Sequence, residues 1–490
     1  MGRIFSDPSD VAQEEIVWPI ESFKLLPELG LVVVISLCQL LTQAALGMSL
    51  APLLILGRHF GIDHEPGQMS WSPAAYSLTV GTFILVAGRI GDLYGHRRAV
   101  LVGWFWFGIC GLAAGFTVYA KNHGHIYFDV LRALQGIGPA ILLPNGVALL
   151  GRFYPPGRRK DMAFSFFGLT APLGFMLGAT FSSLIGQLSW WPWIYWVHAI
   201  VCFIAAALSW ITIPSTIDED NPLRREKGAL DVPGCLTGVS GLILINFAWN
   251  QGAVVGWETV YVYLMLLLGI LAMSAFFWVE KKATYPLVPL KDLSREIILI
   301  LVAVGAGWSS FGIWIYYLWQ SWLVLRGDSP LKATAQFSPI CLSGIIAALL
   351  AGYLMSRVQP GYILLGSMVA FGASNVIAAV TPPDLTYWAA SFIGVLIAPF
   401  GMDCSFPAAN LAASDFMSRD KQGVGASLVN TMINYSISIG LGIGSLVETH
   451  ISHNRSLLDG YRGAHYVGIG LAGLGMLASL VLVRKVDRLS

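Results

Sequence analysis

Gly88-Arg89-Ile90-Gly91-Asp92-Leu93-Tyr94-Gly95-His96-Arg97-Arg98 lies between two long apolar runs and reads as a charged turn joining two membrane helices. Gly88 and Gly91 stand three apart on one helix face, where the missing side chains let another backbone come close, and Gly95 allows the tight turn that follows. Asp92 is left near the membrane surface beside Arg89, Arg97 and Arg98. A carboxylate there can pair with a guanidinium or a helix N-terminus, and such a contact can form in one conformation and break in another. The plainer reading is a basic cytoplasmic loop flanked by two helix-packing glycines.

Of the 490 residues, 56% are hydrophobic and 12% charged, with a mean hydropathy of +0.67, so the chain is far too apolar for a soluble protein of several domains. It is expected to sit in the lipid bilayer. The net charge of +1 offers no concentrated basic face, so no nucleic-acid partner is expected. No metal-ligand spacing appears and no cofactor is expected. The six cysteines fall in apolar runs, where a thiol acts as a small hydrophobe. Residues 1–29 carry six acids against Arg3 and Lys24, unlike a cleaved signal peptide, and are expected to form a cytoplasmic tail.

Runs without Asp, Glu, Lys or Arg mark the spans, because a charge at the bilayer centre costs roughly 2.5–3.5 kcal/mol on insertion scales. They recur from residue 29 to residue 483. The run from 162 to 217 holds two helices of about 20 residues, turning at Ser189-Trp190-Trp191-Pro192-Trp193, and the total expected is fourteen spans. Placing both termini in the cytoplasm leaves 22 of the 29 Lys and Arg inside, 6 outside and Arg132 in the membrane. Arg158-Arg159-Lys160, Arg224-Arg225, Lys281-Lys282 and Arg484-Lys485 then all lie inside. Asn454-Arg455-Ser456 is a glycosylation sequon in the expected outer loop between spans 13 and 14.

A repeat appears 264 positions apart: Ala87-Gly88 matches Ala351-Gly352, and Phe107-Gly108 matches Phe371-Gly372, with Asp92 replaced by Ser356 and Arg98 by Tyr362. The offset suits two six-helix halves, 30–215 and 297–485, separated by two inserted helices within 216–296. Parallel halves enclosing a midplane site are a transporter plan.

Four groups of residues could carry chemistry. Arg132 is the only basic residue placed inside a span; it either serves function or snorkels or pairs with Asp129 one turn before it. Span 5 carries Pro172, Gly174 and Gly178, a bent helix with small residues at four-residue spacing that suits close packing and rocking. Asp403 lies in Pro399-Phe400-Gly401-Met402-Asp403-Cys404-Ser405-Phe406-Pro407 and is the only acid placed well inside the second half. The prolines and glycine suggest a broken helix lining a cavity, with Asp403 facing that cavity or sitting near the inner mouth of its helix. Asn430, Asn434 and Tyr435 in span 13 and Gln39 and Gln43 in span 1 are further polar candidates, although amides also serve as interhelical glue. His198 is read as the only histidine well inside a span, and as a packed residue.

Three of these stretches resemble signatures of one family. Gly-x-x-Gly-Asp-x-x-Gly-x-Arg-Arg, from Gly88 to Arg98, resembles the loop 2-3 signature of the major facilitator superfamily, with His96 where that pattern usually has a basic residue. Arg132-x-x-Gln135-Gly136-x-Gly138 resembles its span-4 motif, in which the arginine is tied to proton coupling. Span 5 is similar to the motif of drug:proton antiporters, but reads Ala171-Pro172 and Gly178-Ala179 where that pattern has Gly-Pro and a Gly pair, which bears on export direction more than on fold.

The order of spans from 30 to 485 resembles the fourteen-span drug:proton antiporter family. Ala74 to Phe83, Trp191-Pro192-Trp193, Gly401-Met402-Asp403 and Ser427 to Thr431 are similar to a fungal branch with aminotriazole-resistance, boron-export and low-affinity ammonium transporters, and secondary-metabolite exporters share the plan. The resemblance implies an all-α integral membrane protein of the major facilitator fold. It implies a secondary active transporter in the plasma membrane, acting as a monomer, that exports a small-molecule substrate in exchange for protons. Transport of borate or ammonium, or a non-transporting sensor on the same fold, are the alternatives, and an enzyme is not expected.

Overall fold

The computed structural model describes residues 20, 24–155, 157–215, 229–417 and 422–486. The Arg224-Arg225 cluster, the boundary at 216 and most of the N-terminal tail lie outside the described residues. Fourteen long helices follow one another among the described residues. The first six are α1 (Leu25–Leu50), α2 (Trp71–Tyr94), α3 (His96–Phe116), α4 (Gly124–Phe153), α5 (Arg158–Leu188) and α6 (Pro192–Thr212). Two more, α7 (Val232–Val255) and α8 (Val260–Glu280), precede α9 (Arg295–Gln320), α10 (Pro339–Met355), α11 (Pro360–Val380), α12 (Ser391–Asp415), α13 (Gln422–Asn454) and α14 (Leu457–Val486). In hydrocarbon every backbone polar group must bond within its own segment, which is why apolar runs of this length become helices.

Thirteen of these helices are long and apolar enough to cross a membrane; α13, at 33 residues, is not among them because its amides and hydroxyls lower its hydropathy. A membrane bundle of many helices is therefore plain, while the fourteenth crossing rests on the place of α13 among its neighbours. The helix ends follow local chemistry. Gly95 has φ 108°, a region open to glycine, and turns the chain from α2 into α3. Asp231 and Ser294 cap α7 and α9 by accepting from the backbone of Gly234 and Ile297. The expected turn at Ser189–Trp193 falls between α5 and α6, where Pro192 starts the next helix.

The repeat is visible in the elements. Helices α3 and α11 are both 21 residues long and begin 264 positions apart, at His96 and Pro360. One expectation is corrected: α12 is not broken, and Pro399 and Pro407 both sit inside a continuous helix. A helical proline frees only the carbonyl four residues back, which for Pro407 is that of Asp403. The interruption lies instead before α10, where a short helix, Pro330–Phe337, ends at Ser338 and Pro339 starts again.

Two faces of the bundle differ. At the face carrying the Gly88–Arg98 turn, the first six helices have their own apolar core around Trp104, Leu149 and Phe153, and the last six a separate one around Ile300, Ala408 and Leu482. At the opposite face a single core joins them: Leu50, Phe175 and Ala179 pack with Trp314, Trp319, Trp322 and Phe337. The bundle is therefore sealed at the far face and has parted cores at the turn face. Helices α2 and α13 run against each other, with no room for a side chain at Gly81 beside the Tyr435 backbone. The pair α7–α8 docks on α13, where the Tyr435 hydroxyl donates to Leu242 O at 2.8 Å and the Ser438 hydroxyl to Asn246 Oδ1 at 2.7 Å.

Candidate functional site

Arg132 is fully buried on α4. Its guanidinium donates to Gln135 Oε1 on its own helix and, on α1, to Ser49 Oγ and to Ala45 O at 2.9 Å. It also lies over the Tyr76 ring at 4.6 Å and near the Tyr195 ring at 5.7 Å, contacts that favour a desolvated cation. Asp129 is beyond ion-pair distance, so the lock that the one-turn spacing suggested is not formed. Polar and aromatic contacts hold this charge directly, and Asp129 acts on it only through space. Its Nε, and the amide nitrogen of Gln135, have no partner among the described residues. Gly136 has no space for a side chain against Tyr76 and Thr79, and Gly138 none against Phe107, so α4 approaches α2 and α3 closely here.

At the turn, Asp92 Oδ1 lies 3.5 Å from His96 Nε2 and 4.0 Å from Arg152 Nη2 at the end of α4. His96 is buried, and its Nδ1 is 2.7 Å from Asn145 Oδ1, while the Asn145 amide donates to Ile141 O and Ala87 O. That amide fills the place of a side chain at Gly91: the glycine admits Asn145 rather than a neighbouring backbone. Gly88 has ordinary clearance, with Pro144 Cβ at 3.6 Å. Arg97 donates to Ile213 O at 2.6 Å and Trp210 O at 2.9 Å, tying the turn to the end of α6. Arg98, its neighbour on α3, is exposed.

Asp403 is half-buried on α12, and no Lys, Arg or His among the described residues lies within ion-pair distance of it. The Cβ missing at Gly344 on α10 would stand 3.0 Å from Asp403 Oδ2 and 3.9 Å from Pro172 Cβ on α5. Cys341, one turn earlier on α10, places its thiol 3.9 Å from Pro172 O, and the Cys404 thiol lies 3.5 Å from Ala347 O. The carboxyl thus sits at a joint between the first and last six helices, where the proline bend of α5 meets α10. Gly174 and Gly178 face the other way: neither leaves room for a side chain beside the carbonyls of Leu40 and Ala44 on α1.

The sequence profile of the Major Facilitator Superfamily matches residues 34–442. This chain belongs to that superfamily. A low affinity ammonium transporter of Saccharomyces cerevisiae is 49% identical over 93% of this chain and 88% of its own length. The efflux pump terJ of Aspergillus terreus is 43% identical over 92% of this chain and 87% of its own, and the aminotriazole resistance protein of S. cerevisiae 40% identical over 91% and 82%. The fold is also that of a peptide transporter crystallised with sulfate, at a TM-score of 0.63 and 17% identity over 94% of each chain. The resemblance read from the motifs is borne out, and this facilitator is a multi-pass membrane transporter, not an enzyme.

Within this facilitator the expected site residues form two groups rather than one. Arg132 and Gln135 are together, held against α1, α2 and α6; Asp403 lies across the bundle beside α10 and α5. Asn430 and Asn434 are half-buried on α13, each donating back to a carbonyl one turn earlier, which leaves their side-chain oxygens to accept. Gln39 and Gln43 are half-buried on α1. His198 packs edge-on to Phe107 at 4.6 Å. Asn454 ends α13 with its amide on His450 O, and the sequon hydroxyl of Ser456 is engaged by Asp459.

Two expectations about solitary residues are corrected. Asp403 is not the only buried acid of the last six helices: Glu448 on α13 is 1% exposed. His198 is not the only histidine inside a helix: His465 on α14 is buried, with Nδ1 2.9 Å from Asn375 Oδ1. The charge-free rule ended span 13 just before Glu448 and began span 14 just after Arg462, so both residues fell at its margins.

Proposed function

We propose that this facilitator exports a small molecule in exchange for protons, by alternating access of two six-helix halves, 30–215 and 297–485, with α7–α8 inserted within 216–296. In this reading all fourteen helices cross the membrane, both termini are cytoplasmic, and the chain works as a monomer in the plasma membrane. The sealed far face and parted turn face then correspond to an inward-facing state.

The single observation that carries the reading is the place of Asp403, half-buried without a cation and separated from the Pro172 bend by one glycine. A carboxylate in a low-dielectric space needs water, a cation or a proton. While the turn face is open, water or a cationic substrate can meet that need. When the α5–α10 joint rocks to close that face, the carboxyl must travel with substrate or with a proton, and that requirement couples the two. Arg132, held without a direct ion pair, keeps a positive field in the first half that opposes a second cation. One proton moving down the gradient supplies roughly 2.3 kcal/mol per 100 mV.

A second cargo reading, ammonium, is favoured by the 49% identity to a low affinity ammonium transporter. Two probes separate the readings: labelled aminotriazole and labelled methylammonium. In reconstituted vesicles with an imposed proton gradient, uphill movement of aminotriazole that collapses with an uncoupler supports proton-driven export. Uphill movement that persists after the uncoupler overturns it, and gradient-independent methylammonium flux favours the second cargo.

A further inference from the structure

Glu448 lies beneath the far-face seal and has no part in the mechanism above. The short helix Pro66–Met69, before α2, forms a lid there: the Cβ missing at Gly67 would stand 3.2 Å from Ser445 Oγ and 3.6 Å from Thr449 Oγ1 on α13. Tyr316 on α9 fastens the lid by donating its hydroxyl to Pro66 O at 2.8 Å, while receiving a bond from Gln320 Nε2 at 2.9 Å. Glu448 stands between Ser445 and Thr449 in sequence and one turn from Ser452. Its carboxyl accepts from Ser452 Oγ at 2.7 Å and from Thr449 Oγ1 at 3.4 Å.

Among the described residues, the ionisable groups that interact with it are tyrosines: Tyr316 and Tyr317 from α9 and Tyr461 from α14. The lid's Gly67 lies over Ser445 and Thr449 of the same helix and beside the Ala253 carbonyl of α7, none of them charged. No Lys, Arg or His among the described residues is within ion-pair distance of Glu448. The Tyr317 and Ser445 hydroxyls face each other and the Tyr461 hydroxyl is buried without a partner among the described residues, so the pocket has spare hydrogen-bonding capacity but no positive charge.

We propose that Glu448 is a second proton-binding site, which takes up a proton as the far face closes and releases it when that face opens to water. Closure under the Pro66–Met69 lid removes the carboxyl from solvent, and a buried charge without a cation is costly. The neutral acid avoids that cost and still accepts from Ser452. Opening lifts the lid, admits water, and the ionised form returns. Low pH at the far face therefore favours the closed state and high pH the open one. This rests on the proton-exchange reading and extends it: Glu448 meets the far-face proton pool, Asp403 the turn-face pool.

The test uses Ser183→Cys as a reporter, because Ser183 Oγ meets Thr334 Oγ1 at 2.9 Å inside the seal and both are buried. A membrane-impermeant maleimide is applied from the far face of the reconstituted full chain between pH 5.5 and 8, with the parent chain as the blank and rates corrected for maleimide chemistry on a free thiol. Labelling is expected to rise with pH, by up to about tenfold per unit, the limit for one linked proton. Adding Glu448→Gln should hold labelling at the slow, low-pH rate throughout. Adding Tyr316→Phe, which only unfastens the lid, should raise labelling at every pH and keep the pH dependence. If Glu448→Gln retains the parental pH dependence while transport remains proton-driven, Glu448 is overturned and the exchange reading stands. If uphill transport also survives an uncoupler, both fall.

Discussion

Asp403 and Pro172 both border Gly344, 3.0 and 3.9 Å from the point its Cβ would occupy. An acid on α12 and the bend of α5 are thus separated by the width of one absent side chain. That gap is where a change of charge can become a change of helix packing. Gly344→Ala should displace the Asp403 carboxyl by a few tenths of an ångström, and Gly344→Val should close the gap. Transport of the aminotriazole probe is expected to fall in the order glycine, alanine, valine, while the melting temperature changes little for alanine. Equal activity in all three would show that the gap has no role.

Arg132 is held by several unlike groups and not by Asp129, which gives opposite expectations for two neighbours. Asp129→Asn removes an attraction that acts through space only and should cost less than a direct charged bond, about 1 kcal/mol or less. Ser49→Ala removes an acceptor from a buried guanidinium and should cost roughly 1.5–3 kcal/mol. Arg132→Lys loses the fork that reaches Gln135, Ser49 and Ala45 together and should abolish coupled transport with the protein still in the membrane. Thermal unfolding in detergent ranks the three, and a loss for Asp129→Asn as large as for Ser49→Ala would restore the ion-pair lock.

At the turn, Gly91→Ala forces a methyl into Asn145 Oδ1 and disturbs the His96 contact. Overpacking of this kind typically costs about 1–3 kcal/mol. Asn145→Ala in the same chain should recover part of it by removing the clash. No recovery in the double variant would place the need for glycine elsewhere.

Asp92 near Arg152 and His96 makes the turn a contact between α2 and α4. Asp92→Asn is expected to slow interconversion of the two access states while leaving protein at the membrane. Two-sided labelling of Ser183→Cys identical to the parent would reduce the turn to a topology signal.

Sequence alone exposed what depends on bulk solvation: apolar runs became helices, and the paired Phe-Gly positions reappeared on helices of equal length. It did not expose polar partners lying inside those runs. Ser49 and Asn145 have no spacing that marks them, and their roles exist only because α4 crosses α1 at the first and meets α2 and α3 at the second. The three-residue step from Asp129 to Arg132 suggested a pair, but the arginine turns toward α1 and the aromatic rings. Pro399 and Pro407 suggested a break, yet each removes one donor and leaves one carbonyl free, which a helix tolerates. Glu448 was missed because a rule that ends spans at charges cannot see an acid buried near a helix end.

Proton exchange through Asp403 is tested most directly by loading parent and Asp403→Asn vesicles with aminotriazole and a pH-sensitive dye, then diluting them without an imposed proton gradient. In the parent, outward movement of the probe should draw protons in and acidify the lumen. In Asp403→Asn, which keeps the volume of the neutral acid, the acidification should be lost while the protein remains folded. Parental acidification in Asp403→Asn would contradict the account and leave Asp403 a structural acid.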